Sequence, residues 1–461
     1  MSTTAPEASA DAPAALTIAV LGAGTVGTEV LRLLAEQGAD FAHRVGAPLE
    51  VIGVSVRDRS KDRGPHVDPA LLTEDAEDLV RRADLVVELM GGIEPARSLI
   101  LEAMAHGASV VTANKALLAQ SGAELYEAAD AAGVDLHFEA AVAGAIPLVR
   151  PIRESLAGDR IRRVLGIVNG TTNYIMDAMT RTGADFADAL ARAQELGYAE
   201  ADPTADVEGL DAAAKAAILA SLAFHTRVGM GDVHAEGITR VSADDIAAAS
   251  RMGRVIKLLS IVERLEDADG TERVSARVYP TMIPREHPLA SVSEAYNAVF
   301  VEAEAAGSLM FYGQGAGGAP TASAVLGDLV SVARLKVHGG KGPRESRYAS
   351  LPIAPIDELR NGFYVALTVV DEPGVLAGVA GTLSAHGISI ATIHQEPIEV
   401  DDHDGAAEGG AAAKEQARPA RARIGIVTHR ALEAAMTDAL AALGAAPSVI
   451  AVDSVLRVEG E

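Results

Sequence analysis

Apolar positions along the chain follow two periods that alternate. LTIAVLGAG, beginning at Leu16, is a continuous apolar run closed by glycines, the pattern of a strand buried on both faces. TVGTEVLRLLAEQG follows with helical spacing and a glycine stop at Gly38. The alternation then repeats. Strands are predicted over LEVIGVSV (49–56), over ADLVVELMGG ending near Gly91, over ASVVTAN and over VDLHFEAAV. The helices ARSLILEAMAHG and KALLAQSGAELYEAADAAG separate the last three of these. Strict strand–helix alternation predicts a doubly wound parallel α/β sheet of the Rossmann kind over residues 16–150.

From about Pro151 the pattern changes. RIRRVLGIVNGT reads as a strand and turn, alanine-rich helices follow at 173–183, 185–197 and 209–224, and ERVSARVYPTMI and AVFVEAEAAGSLMFYGQG alternate as strands do. This predicts an α+β substrate and dimerisation domain over 151–315. SAVLGDLVSVARLKVHG reads as a long helix that completes the first domain at about 316–340, and 341–362 is a proline-bearing linker. Residues 363–461 read as strand, helix, strand twice over, a ferredoxin-like βαββαβ unit. The polar, low-complexity stretch DDHDGAAEGGAAAKEQARPA predicts a flexible insertion in it at about 402–420. MSTTAPEASADAPAA has neither a basic n-region nor an apolar h-region, so residues 1–15 read as a disordered tail and not a secretory signal.

Composition narrows the chemistry. Three domains fit 461 residues. Lys and Arg number 39 against 64 Asp and Glu, a net charge of −25 that disfavours nucleic acid or an anionic membrane as partner. Aromatics are 3% with no Trp, so Ala, Val, Leu and Ile must fill the cores. There is no Cys, which excludes disulfides, Cys–zinc sites, iron–sulfur clusters and thiol nucleophiles and fits a reducing cytoplasm. No run of 18 apolar residues escapes a charge or a glycine break, so no membrane span is predicted.

Gly22-Ala23-Gly24-Thr25-Val26-Gly27 is a G-x-G-x-x-G between the first strand and its helix. The first glycine allows the tight turn, the second admits a pyrophosphate, and the third lets helix and strand pack. An NAD reader usually ends the second strand on Asp or Glu. Here Val54-Ser55-Val56-Arg57 is followed by Arg59, Lys61 and Arg63. That cluster suits a 2′-phosphate and favours NADP(H) over NAD(H); the other reading is a solvated basic loop, partly neutralised by Asp58 and Asp62.

The segment from Gly197 to Lys215 holds five acids in twelve residues, Glu200, Asp202, Asp206, Glu208 and Asp211. Asp211 and Lys215 are four apart and share a helix face. By spacing alone, an exposed ion pair explains them as well.

The longer string LGYAEADPTADVEGLDAAAKAAILA resembles the signature of the homoserine dehydrogenases. So do VTANKALLA (111–119), FEAAVAGAIPLVRPIRESLAGDRI (138–161), GIVNGTTNYIMDAM (166–179) and GQGAGGAPTASAVLGDLV (313–330), in the family's order over about residues 16–340. VDEPGVLAGVAGTLSAHGISI resembles the opening of an ACT regulatory domain. With no aspartate-kinase domain before the first strand, the monofunctional form is expected. The insertion and the acidic tail are the two departures.

The resemblance implies the reversible reduction of L-aspartate 4-semialdehyde to L-homoserine with NAD(P)H, in threonine, methionine and isoleucine biosynthesis. It assigns Lys215 as general acid/base and Lys115 as a second lysine at the reacting centre, near substrate and nicotinamide. Two neighbouring ammonium groups would push each other's pKa toward neutrality and stabilise charge on an aldehyde oxygen. Glu200 and Asp211 match the substrate-binding carboxylates; Asp202 and Asp206 read equally as helix caps. Cofactor contacts fall on Ala23, Thr25, Val26, Arg57, Lys115, Gly197 and Gly315, and the glycine density from Gly313 to Gly318 reads as close backbone approach to a ligand or as an ordinary turn.

The family further implies a structural monovalent cation, Na+ or K+, on backbone oxygens of Glu139, Val142, Gly144 and Ile146; a plain interdomain loop is the alternative. It implies L-threonine as feedback effector at the ACT domain, near Gly374, Leu376 and Gly387, and a homodimer or homotetramer. His106, His137 and His225 sit among apolar residues and read as structural. Aspartate-semialdehyde oxidation through a thioester is excluded, since it needs a Cys. A non-catalytic amino-acid sensor would predict loss of Lys115, Lys215 or the glycine loop, and all are present.

Overall fold

In a computed structural model, which describes residues 14–398 and 420–460, six parallel strands form the first sheet. They are β1 (Leu16–Leu21), β2 (Leu49–Ser55), β3 (Leu72–Thr73), β4 (Leu85–Glu88), β5 (Ser109–Thr112) and β6 (Leu136–His137), in the order β3-β2-β1-β4-β5-β6. The winding reverses between β1 and β4, which opens a crevice at their C-terminal ends. Both strands explain their unbroken apolar runs by burial on two faces. Ala19, Leu21 and Val86 enter one core; Ile18, Val20, Leu85 and Val87 enter the other. Into that second core comes helix Gly318–Val337, which packs Ala322, Val325, Leu329 and Val332 against helix Thr25–Val45.

Two local expectations fail for physical reasons, and one unassigned stretch finds its structure. The first helix does not stop at Gly38. The backbone departs from helical values at Gln37 (φ −116°), then the helix resumes to Val45 and closes at Gly46. Phe41 and Val45 are buried in the core with Leu34, and that packing outweighs the penalty of about 1 kcal/mol for an interior glycine. The strand over VDLHFEAAV is only Leu136–His137, and Ala140–Ala143 is a helical turn. There the Glu139 carboxylate accepts the N–H groups of Leu148, Val149 and Arg150 and bends the chain out of the sheet. Finally, residues 243–266, unassigned by periodicity, form helix Ala243–Arg251 with a Ser242/Asp245 capping box, then a long strand.

The second sheet has eleven strands. β7 (Ile161–Ile167), β8 (His234–Ala235), β9 (Arg254–Glu266), β10 (Glu272–Pro284), β11 (Tyr296–Ala303) and β12 (Gly307–Gln314) come from the middle of the chain. β13 (Arg360–Val370), β14 (Ile390–Ile398), β15 (Arg421–Thr428), β16 (Ala431–Leu432) and β17 (Val449–Val458) come from the C-terminal βαββαβ unit. The path β12-β11-β7-β9-β10-β17-β13-β15-β14 is continuous, so this unit is not a separate bead on a linker. β17 lies parallel to β10 at Thr281–Arg457 and Met282–Val458. One face of the unit carries its own two helices, Val375–Ala385 and Glu433–Gly444, over Phe363, Val365, Leu367 and Ile424. From the other face Tyr364, Ala366, Val427, Leu456 and Val458 join the main core. Arg457 pairs with Glu236 (2.6 Å) and Glu433 (3.1 Å), and Glu459 with Arg163 (2.6 Å). The tail expected over 1–15 lies outside the described residues as far as 13, and the insertion expected at 402–420 as far as 419. Among the described residues no helix is long and apolar enough to cross a membrane.

Candidate active site

The crevice at the switch point is built from glycines with distinct tasks. Gly22 sits at φ +103°, a conformation open to glycine, against the Leu89 carbonyl. A side chain at Gly27 would strike the Gly22 carbonyl, whereas a Cβ on Gly24 would meet nothing within 4 Å. The loop therefore seals its own turn and leaves its middle open. Helix Thr25–Val45 begins there with no side-chain cap, so its first N–H groups are free for an anion. Arg57 and Arg59 stand exposed just beyond β2. The nearby acids are engaged locally: Asp58 accepts Ser60 N–H (2.8 Å) and Asp62 accepts Gly64 N–H (2.9 Å).

Lys115 is the first residue of its helix, and a buried carboxylate sets where that helix starts. Glu88, wholly buried at the end of β4, accepts the Thr112 hydroxyl (2.5 Å) and Met90 N–H (2.8 Å). Thr112 accepts Asn114 N–H (3.0 Å), and Asn114 caps the helix through Leu117 N–H (3.1 Å). Sequence reasoning passed over Glu88, although an acid inside the apolar run LVVELM was the available signal.

Helix Leu210–Phe224 starts at Gly209, whose φ of +77° turns the chain sharply, and places Asp211 in its first turn and Lys215 in its second. Asp211 Oδ2 accepts Lys215 Nζ at 2.7 Å, and Oδ1 accepts Lys115 Nζ at 2.7 Å. The two ammonium groups thus share one carboxylate, which offsets the repulsion expected from their proximity. Lys215 Nζ also donates to the Val168 carbonyl (2.6 Å), leaving one of its three donors uncommitted. Asn169 caps helix Gly170–Thr182 with its Oδ1 and donates Nδ2 to Asp206 (2.7 Å) and Asp211 (2.9 Å). Burial opposes ionisation of Asp211, yet the charges of Lys215 and Lys115 outweigh it and hold the carboxyl well below the usual carboxylate range.

These groups line a cavity of about 800 Å³, shared with Val26, Gly197 and Gly315. Asp206 faces it and caps no helix; Asp202 lies outside the lining and closes a local turn, accepting Thr204 N–H at 3.1 Å. Glu200 is exposed and outside the cavity lining, and among the described residues only its carbonyl is engaged, by Gln194 (3.0 Å). Asn169 and Asn297 were passed over as well. Asn297 lines the cavity, and its buried Oδ1 has no hydrogen-bond partner among the described residues.

The two glycine-rich interdomain segments meet here. A side chain at Gly144 would collide with the Gly315 carbonyl, and one at Gly315 with the Asn297 amide, so these glycines let the protein segments pack closely against each other. The Gly144 and Ile146 carbonyls accept no backbone N–H among the described residues, so their hard oxygens are available to a cation. Of the histidines, His106 Nδ1 bonds the Glu102 carbonyl (3.0 Å) and His137 Nδ1 lies 3.5 Å from Asp328.

Family models for homoserine dehydrogenase match residues 147–330, for its NAD-binding domain residues 22–139, and for the ACT domain residues 363–420. The chain is 58% identical to a homoserine dehydrogenase of Corynebacterium glutamicum, covering 96% of both chains. The structure of a homoserine dehydrogenase from Thiobacillus denitrificans superposes with a TM-score of 0.86 at 38% identity, covering 96% of this chain and 98% of that one. A hyperthermophilic archaeal homoserine dehydrogenase in complex with NADPH superposes with a TM-score of 0.59 at 27% identity, covering 72% of this chain and 99% of that one.

The Asp211 arrangement makes stability depend on pH. Its folded-state pKa lies below the unfolded value, so its contribution is present above about pH 4 and is lost as pH falls toward the folded value. Urea unfolding of wild type and Asp211→Asn should differ by about 3 kcal/mol at pH 7. The gap should shrink below about pH 4. A gap that is constant across that range would contradict the ion-pair account.

Proposed function

This chain belongs to the homoserine dehydrogenase family, and from that premise we propose that it interconverts L-homoserine and L-aspartate 4-semialdehyde in threonine, methionine and isoleucine biosynthesis, with NADP(H) preferred over NAD(H). The observation that carries the reading is the pair of lysines on one buried carboxylate, in a cavity that opens on the glycine loop.

The bound nicotinamide nucleotide supplies the hydride acceptor or donor. The chain supplies the rest. The open Gly24 and the uncapped helix start hold the pyrophosphate. In oxidation, Lys215 Nζ in its neutral amine form takes the homoserine hydroxyl proton as the C4 hydride leaves; in reduction, the Lys215 ammonium returns a proton to the aldehyde oxygen as C4 receives hydride. Lys115 stabilises the oxygen's developing charge. Asp211 orients both lysines, and with Asp206 and Glu200 it supplies acceptors for the substrate's α-ammonium, Glu200 by moving in from its exposed position.

The nucleotide preference rests on Arg57 and Arg59, whose neighbouring acids are engaged elsewhere, and on the NADPH bound by the archaeal relative. A monovalent cation, Na+ or K+, fits the free carbonyls at Gly144 and Ile146, completed by Glu139 and Val142; it would stiffen the hinge without entering the chemistry. L-threonine is the proposed effector, at the exposed turn of Gly374 and Leu376, with Gly387 closing the same helix. The large sheet ends on β12, with Met310 and Tyr312 exposed, and on β14; these edges support a homodimer or homotetramer. The absence of Cys supports a reducing, cytoplasmic setting.

Purified protein should reduce NADP+ on addition of homoserine at alkaline pH, faster than it reduces NAD+. Arg57→Ala should raise KM for NADP+ about tenfold and leave NAD+ nearly unchanged. No turnover with either nucleotide would sink the activity; equal effects on both would sink the role of Arg57. Threonine at millimolar concentration should inhibit, and a rate indifferent to it would remove threonine as effector.

A further inference from the structure

A second cavity, of about 440 Å³, is lined by the same two helices that carry the lysines. It shares no lining residue with the active-site cavity. Leu118 and Tyr126 come from helix Lys115–Ala132, Ile218 and Leu222 from helix Leu210–Phe224, and Phe138 closes one side. These five give the cavity one apolar, partly aromatic face.

Asp159, Arg227, Arg344 and Glu345 bring charge to the rest of the lining, and Arg153 stands apart from them. Arg153 lines the cavity with only 7% of its side chain exposed, and its Nε and Nη1 have no hydrogen-bond partner among the described residues. Among the described residues its one ion-pair partner, Glu154, lies 3.5 Å from Nη2 and is itself 42% exposed. The Tyr126 hydroxyl is no counter-charge, because burial pushes its pKa up to about 12. Arg227, also in the lining, is already held by Glu345 (2.7 Å) and Glu127 (2.9 Å). A guanidinium kept from water with donors unmade is costly, and an acceptor supplied from outside the chain would relieve that cost. At the rim His225 takes φ +55°, rare for a non-glycine residue, and stacks on Tyr348 at 4.7 Å with its Nδ1 unbonded.

We propose that this cavity binds a small monocarboxylate with an apolar, ring-sized body, its carboxylate on Arg153 and its body against Leu118, Phe138, Ile218 and Leu222. Guanidinium–carboxylate pairing sets the charge preference, and the apolar wall rejects small polar anions. The site is independent of the catalytic reading.

The test is calorimetric titration of the full chain with 3-phenylpropanoate and with its neutral isostere 3-phenylpropanamide, each with and without saturating homoserine. Saturable binding of the acid is expected, unaffected by homoserine, with the amide at least about tenfold weaker. Arg153→Met should abolish that preference. Gly122→Leu is the second variant: a Cβ there meets nothing within 4 Å, so the new side chain fills the cavity from a helix interior that tolerates it. It should weaken binding at least about tenfold and leave homoserine oxidation intact, and it decides the matter if Arg153→Met does not fold. No saturable binding at millimolar concentration, equal binding of acid and amide, displacement by homoserine, or binding unchanged in Gly122→Leu would each overturn the proposal.

Discussion

The Asp211 carboxylate is the contact on which the rest of the site depends. It takes Lys115 from the helix that follows β5 on one oxygen and Lys215 from its own helix on the other, each at 2.7 Å. A single anion therefore joins two domains at the place where chemistry would occur. Removing such a buried charge leaves two cations facing each other, whereas keeping it costs desolvation that only good geometry returns. Asn169 supplies that geometry from the second domain, by donating to Asp206 and Asp211 together. Glu88 supplies it from the first domain, by fixing the turn from which the Lys115 helix starts.

A second constraint comes from the C-terminal unit. Because β17 extends the sheet of β10, the ACT domain is locked into the catalytic domain through backbone and core. Arg457 of β17 holds Glu236, and two residues on, Ile238 N–H donates to the Val207 carbonyl (2.8 Å) in the turn that carries Asp206. A few contacts separate the ACT sheet from Asp206 and Asp211. The molecule thus has little freedom to move one part without straining the other.

Much of this was legible in the residues. Alternating strand and helix, the glycine loop and the βαββαβ pattern each have a local physical cause, and the sheets and the ACT unit follow them. What escaped was non-local. Periodicity stopped the first helix at Gly38 because the burial of Phe41 and Val45 depends on a helix that begins at Gly318. The fusion of β17 to β10 leaves no trace in either strand's own pattern. At the site, spacing paired Asp211 with Lys215 but could not place Lys115 on the same carboxylate. Asn169 looked like a turn residue, and its tie to Asp206 and Asp211 appears only when the two segments meet. Glu200 shows the converse, since motif position named it and the fold leaves it exposed.

The most direct test is the turnover of Lys215→Ala in homoserine-dependent NADP+ reduction, with NADP+ affinity measured alongside. If Lys215 moves the proton from its place on Asp211, kcat should fall by about 10³-fold with nucleotide binding within twofold of wild type. A variant that keeps more than about a tenth of wild-type kcat would contradict the account.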